Sequence, residues 1–191
     1  VSDETSCEAM AVQTIDAFGR IDILVNNAAL FGYLDAKPFE EISVDEWDAL
    51  MAVNVRGVFV AIKSVTGQMR KQQYGKIINI ASGTLFKGTP MLLHYVTSKG
   101  AVMAMTRCIS REVGDDNICV NTLAPGLVMS ENVLARDTFS DTGVDANTAT
   151  RALKRRQMPE DLTGAMIFLA SADSDFMTGQ CVVVDGGSVN N

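Results

Sequence analysis

Tyr95 and Lys99 stand four residues apart in the run Tyr95-Val96-Thr97-Ser98-Lys99. On a helix that spacing puts phenol and ammonium on one face, where their side chains can converge. A tyrosine ordinarily titrates near about 10, and a cation held beside it favours the phenolate and lowers that value. Tyr95 can then give or take a proton near neutral pH. Ser82 follows an apolar run at 76–80, and its hydroxyl would face the same crevice as the start of the Tyr95 helix. A serine there hydrogen-bonds a substrate oxygen where charge changes during reaction, although Ser82-Gly83 also reads as a plain turn pair. Asn54 lies between Val53 and Val55 within an apolar helical run, where an amide is unfavourable unless it is hydrogen-bonded or used.

These residues need a frame, and the apolar pattern supplies one. Runs at 21–25, 76–80, 118–123 and 181–184 are short and rich in β-branched residues, as strands buried on both faces are. Between them lie helical periods. Residues 3–18 carry Ala9, Val12, Ile15 and Phe18 on one stripe. Ser43 and Glu46 form an S-x-x-E capping box before the long apolar run that ends at Arg70-Lys71. A third helix is expected over 95–113 and a shorter one over 159–170, opened by Pro159.

Helices alternating with strands predict an α/β fold: a doubly wound, Rossmann-like parallel sheet joined by right-handed crossovers. Ligands of such sheets bind outside the carboxyl ends of the strands. Here those ends are Asn26-Asn27-Ala28-Ala29, Ala81-Ser82-Gly83, Ala124-Pro125-Gly126 and Asp185-Gly186-Gly187. Residues 127–157 show weak periodicity, and a loop of that length in a compact domain is a lid or a disordered stretch; a substrate lid is the expectation.

Composition narrows the function. With 191 residues, 47% apolar and 20% charged, residues 1–191 fit a single domain. Lys and Arg number 16 against 23 Asp and Glu, a net charge of −7 that argues against nucleic acid or an anionic membrane as partner. Arg56 and Lys63 interrupt the richest apolar stretch, so no membrane span is expected. Cys7, Cys108, Cys119 and Cys181 are far apart among apolar neighbours, which suits buried thiols in a reducing compartment and no metal or disulfide.

Taken in order, N-N-A at Asn26 to Ala28, N-V-x-G at Asn54 to Gly57, Ser82, Y-x-x-x-K at Tyr95 to Lys99, P-G at Pro125-Gly126 and V-D-G-G at Val184 to Gly187 resemble the short-chain dehydrogenase/reductase family. The likeness is strongest to its oxoacyl reductase and secondary-alcohol dehydrogenase branch. The resemblance implies a catalytic acid/base at Tyr95, with Lys99 lowering its pKa and binding the nicotinamide ribose. Ser82 would polarise the substrate carbonyl, and Asn54 would kink its helix and hold a water of the proton relay. Asn27, Ala28 and Ala29 would line the adenosine-ribose side of the cofactor; Pro125, Gly126, Val128 and Ser130 would meet the nicotinamide.

With Ser82, the residues Thr84, His94 and Leu127 are the expected substrate contacts. Phe86, Met91, Leu92 and Leu93 would wall an apolar pocket or pack on the core. His94 is expected to be partly exposed at a helix start, Trp47 to anchor a core or interface, and Arg151, Lys154, Arg155 and Arg156 to form a solvated helix face, the alternative being contact with a phosphate-bearing substrate such as a carrier-protein thioester.

The implied function is the NAD(P)-dependent interconversion of a secondary alcohol and a ketone or 3-oxoacyl group, with a lean to NAD. The implied setting is a cytoplasmic homotetramer. The sequence contains no T-G-x-x-x-G-x-G turn for a pyrophosphate. The expectation is therefore of the C-terminal three quarters of a domain of about 250 residues, with its N-terminal strands and phosphate loop absent from this chain. The alternative is a truncated, catalytically silent relative that serves as an interaction module.

Overall fold

Helix α1 (Glu4–Phe18) opens where the Asp3 carboxylate accepts the Ser6 N–H at 2.7 Å, and it closes at Gly19, whose φ of 77° is left-handed. Strand β1 (Ile23–Asn26) follows. The capping box forms as expected: Ser43 Oγ accepts the Glu46 N–H at 3.2 Å, and a Glu46 carboxylate oxygen accepts the Ser43 N–H at 2.9 Å. It opens α2 (Val44–Met51), which runs through one π turn (Ala52–Arg56) into α3 (Gly57–Gln72). Next come β2 (Gly75–Ile80), the short α4 (Thr84–Lys87), α5 (Leu93–Glu112) and β3 (Ile118–Pro125). Helices α6 (Glu131–Leu134), α7 (Asp141–Ala149) and α8 (Thr163–Ala170) precede β4 (Cys181–Val184). This computed structural model describes residues 1–32, 34–135 and 141–189.

The four strands are all parallel and lie in the order β1-β2-β3-β4. On one face Ile77, Ile118 and Val120 pack with Ala11 of α1, Val58, Ile62, Val65 and Met69 of α3 and Val102 of α5. On the other face Ile78 and Leu123 meet Leu169 of α8. Full burial of side chains of this size contributes about 1.5–3 kcal/mol each, which is what holds helices to sheet. The sequence is thus an α/β layered fold of Rossmann type.

One expectation fails in this frame. Helices α3 and α5 lie on the same face, whereas α8 lies on the opposite one although β4 continues the sheet in the same direction. The last crossover therefore has the opposite hand to the first two. The right-handed preference holds where a twisted strand feeds a helix directly back onto its sheet. Between β3 and α8 more than thirty residues intervene, with Gly126 and Val128 at the carboxyl end of the sheet and Gln157 beside them, so β3 does not feed α8 directly and the constraint is released.

That stretch is not a bare loop. Helices α6 and α7 give it a small core of Met129, Val133 and Val144, packed with Leu127 and with Phe31 from the loop after β1. Residues 136–140 of the expected lid lie outside the described residues.

Strand β1 forms one sheet edge, and Ile23 and Val25, which pair with Lys76 and Ile78 on the α8 face, are 45% and 41% exposed because α8 does not extend over β1. Among the described residues Val44–Gln72 is the one helical run long and apolar enough to cross a bilayer. Val58, Val60, Ala61, Ile62, Val65 and Met69 of that run pack in the core with α1 and the sheet, whereas Val44 and Phe59 stay exposed. Cys7 and Cys119 are buried as expected, but Cys108 is exposed, because it falls on the outer side of α5.

Candidate active site

The carboxyl ends of the strands gather the chemistry. Beyond β2 the ladder continues: Ala81 N–H donates to the Leu123 carbonyl and Gly83 N–H to the Pro125 carbonyl, each at 2.8 Å. Ser82 is thereby fixed between two held peptides. Its buried hydroxyl accepts the Thr84 hydroxyl at 2.9 Å, so Ser82 and Thr84 stand together at the start of α4.

Helix α5 starts at Leu93, earlier than the apolar period suggests, and presents Tyr95 and Lys99 on successive turns. Both are buried. The Lys99 ammonium donates to the Ile80 carbonyl at 2.7 Å and lies 5.7 Å from the centre of the Tyr95 ring. Burial pushes the Tyr95 phenol up to about 12, partly offset by a hydrogen bond with Ser82. Burial also pulls Lys99 down to about 8. The expected depression of the tyrosine by its lysine does not occur in this state: desolvation disfavours the charged form of each residue and sets the direction of both shifts.

Asn54 sits in the π turn, a deformation that recurs at functional sites. Its carbonyl oxygen accepts the Leu30 N–H at 2.7 Å, and its amide donates to the Leu30 carbonyl and to Ser98 Oγ, each at 3.2 Å. The Ser98 hydroxyl donates in turn to the Tyr95 carbonyl at 2.7 Å. Asn54 thus ties the loop after β1 to the turn that carries Tyr95. Both amide donors are engaged with protein, which leaves one lone pair on its oxygen for the water that the resemblance implies.

Leu30 leads to Phe31, whose ring centre is 4.8 Å from that of Tyr95 at a tilt of 38°. Sequence reasoning missed Phe31. Its position two residues after the strand-end segment Asn26 to Ala29 is the available signal. A second missed group is the polar line through the sheet, where Asn26 donates to Asn79 at 2.8 Å, Asn79 to Thr106 at 2.9 Å and Thr122 to Thr106 at 2.8 Å.

The remaining candidates are spread along the same edge. Asn27, Ala28 and Ala29 are exposed after β1, and the first two line a concavity with Cys7, Val25, Gly57 and Val58. Pro125 and Gly126 end β3, and Val128 bridges Gln157. Ser130 precedes α6 with its hydroxyl free of a cap bond, and Leu127 is half-buried in the lid core.

His94 departs from expectation. It is 2% exposed, because the earlier start of α5 places it in the first turn, within reach of the charges of Glu46 and Lys37. Its Nδ1 has no partner, and burial lowers its pKa. The basic cluster also divides: Lys154, Arg155 and Arg156 are not buried, while Arg151 is 2% exposed.

A family model described as enoyl-(acyl carrier protein) reductase matches residues 1–189. The short-chain dehydrogenase/reductase eriH of Hericium erinaceus is 36% identical over 191 residues, which is 100% of this chain and 74% of that protein. This chain belongs to the short-chain dehydrogenase/reductase family.

Another relative, the 2-dehydro-3-deoxy-D-gluconate 5-dehydrogenase of Dickeya dadantii, is 38% identical over 188 residues, covering 98% of this chain and 73% of that one. Among solved structures, a gluconate 5-dehydrogenase from Burkholderia cenocepacia J2315 in complex with NADP and tartrate superposes with a TM-score of 0.89 at 34% identity, covering 98% of this chain and 72% of that one. The lean to NAD finds no support there, since that neighbour holds NADP.

As a short-chain dehydrogenase/reductase, the chain is an enzyme of the oxidoreductase class with a nicotinamide cofactor. The site tests that pairing on its own chemistry. Lys99 is 4% exposed and commits one of its three N–H donors, to Ile80. A buried ammonium with two donors left over, beside a phenol at the strand ends, suits the paired hydroxyls of a ribose. The residues fit the nicotinamide-ribose half of the cofactor.

Proposed function

We propose that this enzyme interconverts a secondary alcohol and a ketone, with Tyr95 as the proton donor and acceptor. The observation that carries the proposal is the burial of Tyr95, Lys99 and Ser82 together at the carboxyl end of β2. When bound, the nicotinamide supplies or accepts the hydride, and its oxidised form adds positive charge to the site. Everything else falls to the protein. In reduction, Ser82 donates a hydrogen bond to the substrate carbonyl oxygen as negative charge develops there, and the Tyr95 O–H passes its proton to that oxygen. With its pKa near 12 the resting phenol is protonated at neutral pH, so it is a ready proton donor. In oxidation the proton runs the other way, from the alcohol to a Tyr95 phenolate that Lys99 stabilises.

The described residues 127–135 and 141–157 serve as the substrate lid, resting through Met129, Val133 and Val144 on Phe31, which in turn packs on Tyr95. Two of the relatives described above carry gluconate-type names, which favours a polyhydroxylated secondary alcohol over a 3-oxoacyl group. Apolar side chains left exposed on the surface, among them Phe59, Ile167, Phe168 and Phe176, support a homotetramer. The test is a panel of secondary alcohols, hydroxy acids among them, assayed with NAD and with NADP by nicotinamide absorbance. Turnover of at least one polyol or hydroxy acid is expected; no turnover with any alcohol or either nucleotide rejects the proposal.

A further inference from the structure

One buried cation ties three parts of the lid together. Arg151, at the carboxyl side of α7, donates from Nη1 to the Arg155 carbonyl at 2.9 Å. From Nη2 it donates to the Leu127 carbonyl at 2.7 Å and to Asn147 Oδ1 at 3.0 Å. These three acceptors are the first residue of the lid, a residue of α7, and the returning stem.

Two further contacts close the same stem. Gln157 accepts the Met129 N–H at 2.8 Å through its backbone and donates to the Val184 carbonyl at 2.7 Å through its side chain. Asp185, buried at the end of β4, attracts the Arg151 charge.

We infer that Arg151 is a positioning residue that pins the lid and sets where its inner wall stands over the substrate. This rests on the lid role proposed above for residues 127–157. The physical chain is short. The guanidinium fixes Asn147 and hence α7; α7 carries Val144; Val144 packs in the cluster that Phe31 joins; and Phe31 stacks on Tyr95. A planar fork reaches several carbonyls at once in fixed directions, which a lysine cannot do, so the geometry calls for arginine at this position. Arg151 touches no reacting atom, and its effect should therefore fall on substrate binding.

The test compares Arg151→Met, Arg151→Lys and Asn147→Ala with the unaltered protein, first by amide hydrogen exchange without cofactor. In Arg151→Met the amides of α7 should exchange about tenfold faster, while those of α5 and β3 stay within about twofold. Arg151→Lys should restore only part of that protection. Asn147→Ala, which removes a single acceptor from an otherwise intact fold, should show the same localised pattern at about threefold. In turnover, substrate KM should rise about tenfold in Arg151→Met with kcat within about threefold, because the lid contributes binding and not proton transfer. Unchanged exchange in α7, acceleration spread evenly over α5 and β3, or a fall in kcat at constant KM would each overturn the assignment. Absence of turnover in the unaltered protein rejects the oxidoreductase proposal instead and leaves the exchange comparison to decide on Arg151.

Discussion

Lys99 donates its hydrogen bond to the Ile80 carbonyl, the last peptide of β2, so the ammonium is anchored to the strand that delivers Ser82. The lysine is thereby held in a place that burial makes costly for its charge. Folding pulls its pKa from 10.5 to about 8. Between those values the unfolded chain keeps a proton that the folded chain has released, so stability should rise with pH across this window, by about 3 kcal/mol in all. Tyr95 acts oppositely. Its pKa goes from 10.0 to about 12, so above pH 10 the unfolded chain loses a proton that the folded chain retains, and stability should fall. Urea unfolding between pH 7 and 11.5 should show a maximum near pH 10, and Lys99→Met should remove the rising limb. A flat profile in the unaltered protein between pH 8 and 10 would contradict this.

Asn54→Ala deletes the bonds to both polar groups of Leu30 and the bond to Ser98, leaving buried groups unpaired. The expected loss is about 3 kcal/mol, read as a lower urea midpoint. Because Phe31 follows Leu30, substrate KM should rise as well. A loss below about 0.5 kcal/mol would mean that water replaces the amide at no cost.

Lys76 is 1% exposed on the α8 side of β2, and its ammonium meets an Asp175 carboxylate at 2.7 Å and Ser174 Oγ at 3.2 Å. The Asp175 side chain is 58% exposed, so the pair joins a dry partner to a wet one. Asp175→Asn leaves a buried charge uncompensated and should cost about 2 kcal/mol, whereas Lys76→Met fills the same space without a charge and should stay within about 1 kcal/mol of the original. Unfolding free energies in the reverse order would refute this reading.

Gly126 was marked in the sequence for contact with the nicotinamide, but its surroundings give it a structural duty of their own. A Cβ there would stand 2.8 Å from Gln157 Oε1 and 2.9 Å from Asp185 Cβ. Gly126→Ala should therefore push the lid stem off the end of β4, lower stability by about 1–3 kcal/mol and expose residues 127–157 to proteolysis. An unchanged melting temperature would show that the stem yields freely.

The sequence made the sheet and the proton-transfer group legible for physical reasons. Strands such as Ile118–Pro125 are apolar on both faces, and Tyr95 and Lys99 are linked by a local, four-residue geometry. What stayed hidden depends on contacts distant in the chain. His94 and Arg151 look like surface residues until packing buries them, and Phe31 gains its meaning only when Asn54 ties Leu30 to α5. The hand of the last crossover follows from the long connection between β3 and α8, which has no residue signature. The phenol of Tyr95 shows the same limit: the lysine at i+4 is legible, but the desolvation that raises the phenol is not.

The most direct test of the account is Tyr95→Phe. Phenylalanine keeps the ring against Phe31 and removes only the hydroxyl, so nicotinamide affinity should stay within about threefold, because Lys99 and the strand ends are untouched. Turnover of the best alcohol should fall at least about a hundredfold, the scale of a lost general acid. Turnover equal to that of the unaltered enzyme would show that the proton travels by another route, and the assignment of Tyr95 would be wrong.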